Sequence, residues 1–229
     1  MLKKHKYVGC DFSDSATIWK YLSFTAFLAM LEDKSLYFTR AKCFADPNEF
    51  PVYENDAEVF PMKKEKYEEM VEQFKKKAFV NCWRLSEYES FGMWNAYADM
   101  ATGIAIKSDV KSLFSAFNSI PQNTEIDVLV GKVNYDIKEM TQKPGWRLNV
   151  LYIPFAKTIP YENEKELRLL YHDYKNEITS DYKGYSVDIG TLIKEIYIGP
   201  MTKPYVKELI EKILSHHGLN IPVKQSMVK

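Results

Sequence analysis

The run Tyr161-Glu162-Asn163-Glu164-Lys165-Glu166-Leu167-Arg168 carries the densest chemistry in this chain. A strand that begins near Glu164 puts Glu164, Glu166 and Arg168 on one face, because side chains alternate with period two. Two carboxylates on one face repel, which raises one pKa for acid–base work, and Arg168 offsets that repulsion. The same spacing also holds a sugar hydroxyl or a metal ion, or simply forms a solvated edge strand with a surface ion pair. A second group lies in residues 40–49, RAKCFADPNE, where Asp46 and Glu49 share a turn with Arg40. These three face a ligand or fix the loop, since Asp-Pro is ordinary turn chemistry. A third follows Glu89 and Ser90: Trp94 and Tyr97, three apart on an expected helix over residues 90–99, fall on one side. Their rings stack a flat ligand or pack a core. His216-His217 before Gly218 suits a helix C-terminus without any catalysis, and His172-Asp173 is equally open.

Elements must position these groups. Alternation and β-branched or aromatic runs predict strands near residues 17–22, 35–40, 78–83, 103–108, 125–135, 166–171, 193–198 and 222–226. Helical spacing predicts helices over 26–33, capped by Ser23 or Thr25, over 109–118 behind Asp109, and over 202–216 before Gly218. Residues 52–77 are charged and helix-compatible, and 149–157 read as a helix stopped by Pro160. Residues 174–190 read as an exposed loop or hairpin, and 138–146 are among the least regular. No repeat, low-complexity linker or composition break divides residues 1–229, so the expectation is one α+β domain. Its central sheets are mixed or antiparallel, with short flanking helices. Residues 81–107 then form one wall of a cleft, which gains a function only if Lys20-Tyr21, 40–49 and 164–168 converge on it.

Composition narrows the classes. Thirty-one basic and 31 acidic residues give a formal net charge of zero, so no global field draws the chain to nucleic acid or membrane. The three cysteines, Cys10, Cys43 and Cys82, lack metal-type spacing, and their odd number argues against a disulfide framework. No signal-type or membrane-length apolar run is present, which points to a cytoplasmic protein without a membrane partner. P-loop, GxGxxG, GxSxG, HExxH and paired CxxC signatures are all missing, which argues against nucleoside triphosphate hydrolysis, Rossmann binding, serine-esterase chemistry and structural zinc.

Taken in order, several segments resemble a bacterial family catalogued as domain of unknown function 2971. They are WKYLSFTAFLAMLEDKSLYFTRAKCFADPNE, CWRLSEYESFGMWNAYADMATGIAIKSD, GKVNYD, Lys157 with YENEKELRLL, and IKEIYIGP, and together they span about residues 19–200. A more distant likeness is to ADP-ribosyltransferases, in which a strand–helix–strand opening and a late strand carrying a catalytic Glu frame the NAD site. IWKYLS, TAFLAMLEDK and SLYFTR look like that opening, with Lys20 and Tyr21 standing where that superfamily carries His or Arg. The resemblance implies that Lys20 or Tyr21 meets the NAD ribose, that Tyr37 or Tyr97 stacks on nicotinamide, and that Glu166, or else Glu164, is the catalytic carboxylate. It further implies NAD as substrate, no metal, a protein or nucleic-acid acceptor of unspecified kind, and a toxin-type or anti-phage role. Two other classes stay open. Asp46, Glu49, Glu164 and Glu166 also suit divalent-metal ligation in a nuclease or phosphodiesterase. The aromatic wall also suits a non-enzymatic module that binds a ligand or a protein.

Overall fold

The computed structural model describes residues 1–5, 9–44, 49–50, 63–136 and 150–228. Asp46 and the stretches 51–62 and 137–149 lie outside the described residues. The fold is α+β, built on one ten-stranded mixed sheet. Its strands are β1 (Leu2–Lys4), β2 (Thr17–Leu22), β3 (Ser35–Arg40), β4 (Ala78–Leu85), β5 (Ile104–Asp109), β6 (Val128–Lys132), β7 (Glu166–His172), β8 (Tyr182–Ser186), β9 (Glu195–Ile198) and β10 (Val223–Gln225). They run in the order β1-β6-β7-β4-β2-β5-β9-β10, and β3 and β8 form a side branch off β4. β1 pairs with β6, and β10 with β9, in parallel at the two edges; every other pairing between these strands is antiparallel.

Alternation along each strand sorts side chains to two faces. Ile18, Phe38, Phe79, Trp83 and Leu169 turn to one face, beneath the helices α1 (Phe24–Glu32) and α3 (Val110–Asn118). On the other face Val80 and Leu170 pack with Tyr67, Val71 and Phe74 of α2 (Lys64–Lys77) and with Tyr152 and Phe155. Trp19 and Tyr21 of β2 join Trp94, Ala105 and Tyr197 in a smaller cluster. The caps fall where their chemistry places them: Ser23 Oγ accepts from the Ala26 N–H and Asp109 Oδ1 from that of Ser112. The last long helix, α4 (Pro204–His216), ends before Gly218 at φ +69°.

The side branch shapes the site. β4 is eight residues long, and β2 and β3 share one of its edges. β2 pairs only near the C-terminal end, at Trp19↔Arg84 and Ile18↔Leu85. β3 pairs only near the N-terminal end, at Thr39↔Val80 and Arg40↔Phe79. β2 then continues along β5 and β3 along β8, so a wedge opens between them over Asn81, Cys82 and Trp83.

The helix expected over 149–157 is present as a 3-10 helix over 150–155, with Pro154 inside it. Three expectations need correction. The strand expected over 125–135 spans only Val128–Lys132, because residues 121–125 form a 3-10 turn with Pro121 at its start. Within 174–190, residues 182–186 are a full strand, β8, paired along β3. The helix over 90–99 is one α-helical turn (Phe91–Met93) that widens into a π-helical turn, Trp94–Ala98. No described helix is long and apolar enough to cross a membrane.

Candidate functional site

The wedge opens into a cavity of about 380 Å³. β2 contributes Lys20 and Tyr21, β3 Tyr37, β4 the stretch from Asn81 to Arg84, and β7 Glu166. Trp19, Phe44, Tyr97 of the π turn, Glu49, Lys157 and Glu164 add to its charged and aromatic lining.

Glu164 reaches the site by a different route from the expected alternation. It ends the 3-10 helix Ile159–Glu164, and Lys165, left-handed at φ +46°, turns the chain into β7 at Glu166. The Lys165 carbonyl accepts from the Leu85 N–H at 2.8 Å, and Tyr135 Oη accepts from the Glu166 N–H at 3.0 Å, so both neighbours fix the turn. Glu164 Oε1 accepts from Tyr97 Oη at 2.7 Å, and Oε2 accepts from Lys157 Nζ at 2.7 Å. Lys157 Nζ is also 2.7 Å from Glu49 Oε1. Glu49 Oε2 in turn accepts from Arg168 Nη2 at 2.7 Å, and Arg168 clamps Glu166 with Nε and Nη2 at 2.9 and 2.8 Å. Arg168 Nη1 donates to the Pro154 carbonyl at 2.6 Å. The result is an unbroken chain of alternating charge, Glu164–Lys157–Glu49–Arg168–Glu166.

Burial opposes ionisation of Glu166, yet the Arg168 guanidinium, with Lys157 behind it, holds its carboxyl below the usual range. The repulsion expected between the glutamates therefore does not raise Glu166; the interleaved cations outweigh it. Burial, reinforced by the neighbouring Glu166 carboxylate, pushes the Cys82 thiol well up. Lys157 is also buried, but its carboxylate neighbours carry its pKa upward. Lys20 lies at the other extreme: burial draws it down to about 8. Tyr97 is pushed above the usual phenol range by burial and by its bond to Glu164.

The remaining expected residues divide clearly. Tyr21 is buried, and its hydroxyl accepts from the Ser90 N–H at 2.8 Å. Tyr37 stands at the rim, bonded to Asp33 and edge-on to Tyr182. Trp94 and Tyr97 do not share a side: Trp94 is fully buried, bonds Glu89 and meets Tyr21 edge-on, while Tyr97 is 49% exposed at the cavity. The wider π turn separates them, as such turns do at many functional sites. Arg40 lies outside the cavity lining. It packs on Phe79 and spends its guanidinium on the carbonyls of Lys76, Ile178 and Ser180.

Residue-pattern reasoning did not assign roles to Lys157, Cys82 or Asn81. A lone lysine in the apolar run LYIPFAKTIP is the signal for Lys157, because a buried cation needs partners. Asn81 is fixed by Nδ2, which donates to the Tyr37 carbonyl at 2.7 Å across the wedge. Among the described residues four buried side-chain polar atoms lack a hydrogen-bond partner: Asn81 Oδ1, Trp83 Nε1, Arg84 Nε and His172 Nδ1. Three of these belong to consecutive or near-consecutive β4 residues that line the cavity. Each such atom costs about 1–3 kcal/mol unless water or a ligand satisfies it.

Comparison with solved structures finds similarity along nearly the whole chain to Thermus sp. 2.9 DarT. With DarT in complex with ADP-ribosylated ssDNA the TM-score is 0.44 at 9% identity, covering 98% of this chain and 97% of that one. With the NAD+ complex the TM-score is 0.42 at 10% identity, covering 93% and 96%. No curated protein matches. Residues 93–169 match the family described as Protein of unknown function (DUF2971), a stretch that runs from the π turn to the end of the charge network, and the resemblance to that family is borne out there.

Proposed function

We propose that the chain is an NAD-consuming enzyme, a transferase or a glycohydrolase, that holds the nicotinamide–ribose end of NAD in the wedge cavity. The observation that carries this reading is Glu164, a carboxylate at the cavity wall held by one hydroxyl and one ammonium, Tyr97 Oη and Lys157 Nζ. At about 380 Å³ the cavity sits at the small end of ligand sites, a match for one ring and one sugar.

In the reaction the bond from ribose C1 to the pyridinium nitrogen breaks, and its electron pair leaves with nicotinamide. Positive charge develops on the ribose, and a carboxylate hydrogen-bonded to the 2′-hydroxyl stabilises it. We assign that role to Glu164 ahead of Glu166, because one buried guanidinium clamps both Glu166 oxygens, whereas Glu164 is the less buried of the two and one of its two partners is the neutral Tyr97 hydroxyl. Tyr37 or Tyr97 supplies the ring that packs on nicotinamide, and Lys20 and Tyr21 face the ribose. Water, or a protein or nucleic-acid group, then takes C1, in keeping with a toxin-type or anti-phage effector. The metal reading is weaker on the charges present: Lys157 and Arg168 sit between Glu49, Glu164 and Glu166, where a shared cation would have to bind.

Purified chain incubated with NAD is expected to release nicotinamide, followed by chromatography. Glu164→Gln should lower the rate by roughly 10²–10³-fold, the scale of removing one electrostatic contact to the transition state. No release by the wild type, or equal rates in Glu164→Gln and Glu166→Gln and the wild type, would overturn the assignment. Ligand binding that depends on Tyr97 without turnover would instead favour the binding-module reading.

A further inference from the structure

Lys20 and Lys157 line the same cavity in opposite surroundings. Lys157 Nζ touches two carboxylates. Lys20 Nζ donates to the Cys82 carbonyl at 3.0 Å and lies 5.5 Å from the centroid of the Trp83 ring. Among the described residues no carboxylate comes within ion-pair distance of it. The contact it makes is the one left open by the sheet: Cys82 lies in the stretch of β4 that neither β2 nor β3 covers. A lysine amine desolvated in a cavity and without a counter-ion is the setting in which lysines act as nucleophiles. The Trp83 ring face attracts the ammonium, a pull that burial outweighs.

We propose that Lys20 is a nucleophilic amine that captures a hydroxyaldehyde, such as a sugar in its open-chain form, as an imine. The Tyr97 hydroxyl and the Glu164 carboxylate line the same cavity and are the partners that would take the hydroxyls of such a ligand. In the first step the lone pair of the neutral amine adds to the aldehyde carbon, and the carbonyl oxygen takes a proton to give a carbinolamine. Loss of water, driven by the same nitrogen lone pair, leaves the imine; the sum is amine plus aldehyde to imine plus water. The surroundings of the amine raise its neutral fraction above that of an ordinary lysine. Burial is the dominant influence and brings its pKa to about 8, against the upward pull of Cys82 and Glu166. Of the other titratable cavity groups, Tyr21 and Tyr37 come from β2 and β3, Arg84 from β4, and Tyr97 from the π turn; Glu49, Lys157 and Glu164 satisfy one another.

The test uses the full chain with D-ribose and cyanoborohydride, which delivers hydride to an imine and fixes it as a secondary amine. Peptide mass spectrometry then locates the adduct. Lys20 should be modified on the order of a hundredfold faster than Lys157 or the exposed Lys165 and Lys183 at neutral pH, following the neutral fractions of the amines. The rate should rise through pH 8 and then level, and Lys20→Arg should remove this adduct alone. Modification of Lys20 no faster than of the exposed lysines in the wild type would overturn the proposal. Because that comparison is made within the wild-type chain, it holds even where the Lys20→Arg variant folds poorly. Nicotinamide release is a separate readout, so this proposal and the NAD reading can fail independently.

Discussion

Arg168 is the residue on which the charge network depends. It is fully buried, bridges two glutamates and also donates to the Pro154 carbonyl. Its charge is compensated only while Glu166 and Glu49 remain ionised, and theirs only while Arg168 and Lys157 remain in place. Removing one partner from such a set leaves an uncompensated buried charge, which is costlier than the net worth of the pair. Arg168→Met, which keeps much of the side-chain volume, is therefore expected to destabilise the fold by about 3–5 kcal/mol in urea unfolding. A loss under about 1 kcal/mol, the scale of a surface ion pair, would mean that the network is solvated. The Glu166–Arg168 pair was legible in the sequence, since period-two alternation alone places both on one face. Glu164 joined them in expectation for the wrong reason: one left-handed residue, Lys165, brings it there from a 3-10 turn. Lys157 and Glu49 reach the network from positions 157 and 49, a separation that no local pattern encodes.

At the scale of elements, the π turn decides which aromatic ring the cavity receives. The Asp99 N–H donates to the Trp94 carbonyl at 3.0 Å, closing the wide turn, and Asp99 itself sits at φ +95°. Gly103 then passes so close that a Cβ there would lie 2.4 Å from the Asp99 oxygen and 2.7 Å from the Ala98 carbonyl carbon. Both obstacles are backbone atoms, so neither can swing aside. Gly103→Ala is expected to cost about 1–3 kcal/mol by overpacking and to displace the turn that carries Tyr97. The thermal midpoint should fall, and nicotinamide release should fall more than the loss of folded protein explains. A variant with unchanged melting and unchanged release would show that the turn tolerates the shift. The sequence makes Gly103 visible as a break between a helix and a strand. The π geometry is not visible, because aromatic residues three apart read equally well as α-helix.

At the scale of the whole molecule, the wedge exists because β2 and β3, consecutive in the chain, do not pair with each other. Each takes part of one edge of β4, a strand far along the sequence, and the helix α1 crosses between them. The strands themselves were legible from alternation, and the helices from their caps. Their order was not, because pairing across long separations is selected by the assembled core rather than by local preference. Asn81, Trp83 and Arg84 line the cavity and each keeps one buried polar atom without a partner, so a ligand that reached any of these atoms would offset its cost. A ligand that binds only the folded chain adds about 2.7 kcal/mol of stability at a hundredfold excess over its dissociation constant. With the wedge holding NAD as proposed above, NAD is expected to raise the melting temperature in a saturable way. Tyr37→Ala, at the exposed rim, should leave the unliganded midpoint nearly unchanged while shrinking that rise. Melting that is indifferent to millimolar NAD, in a chain that melts cooperatively, would separate the wedge from this ligand and leave its polar wall to be matched with another.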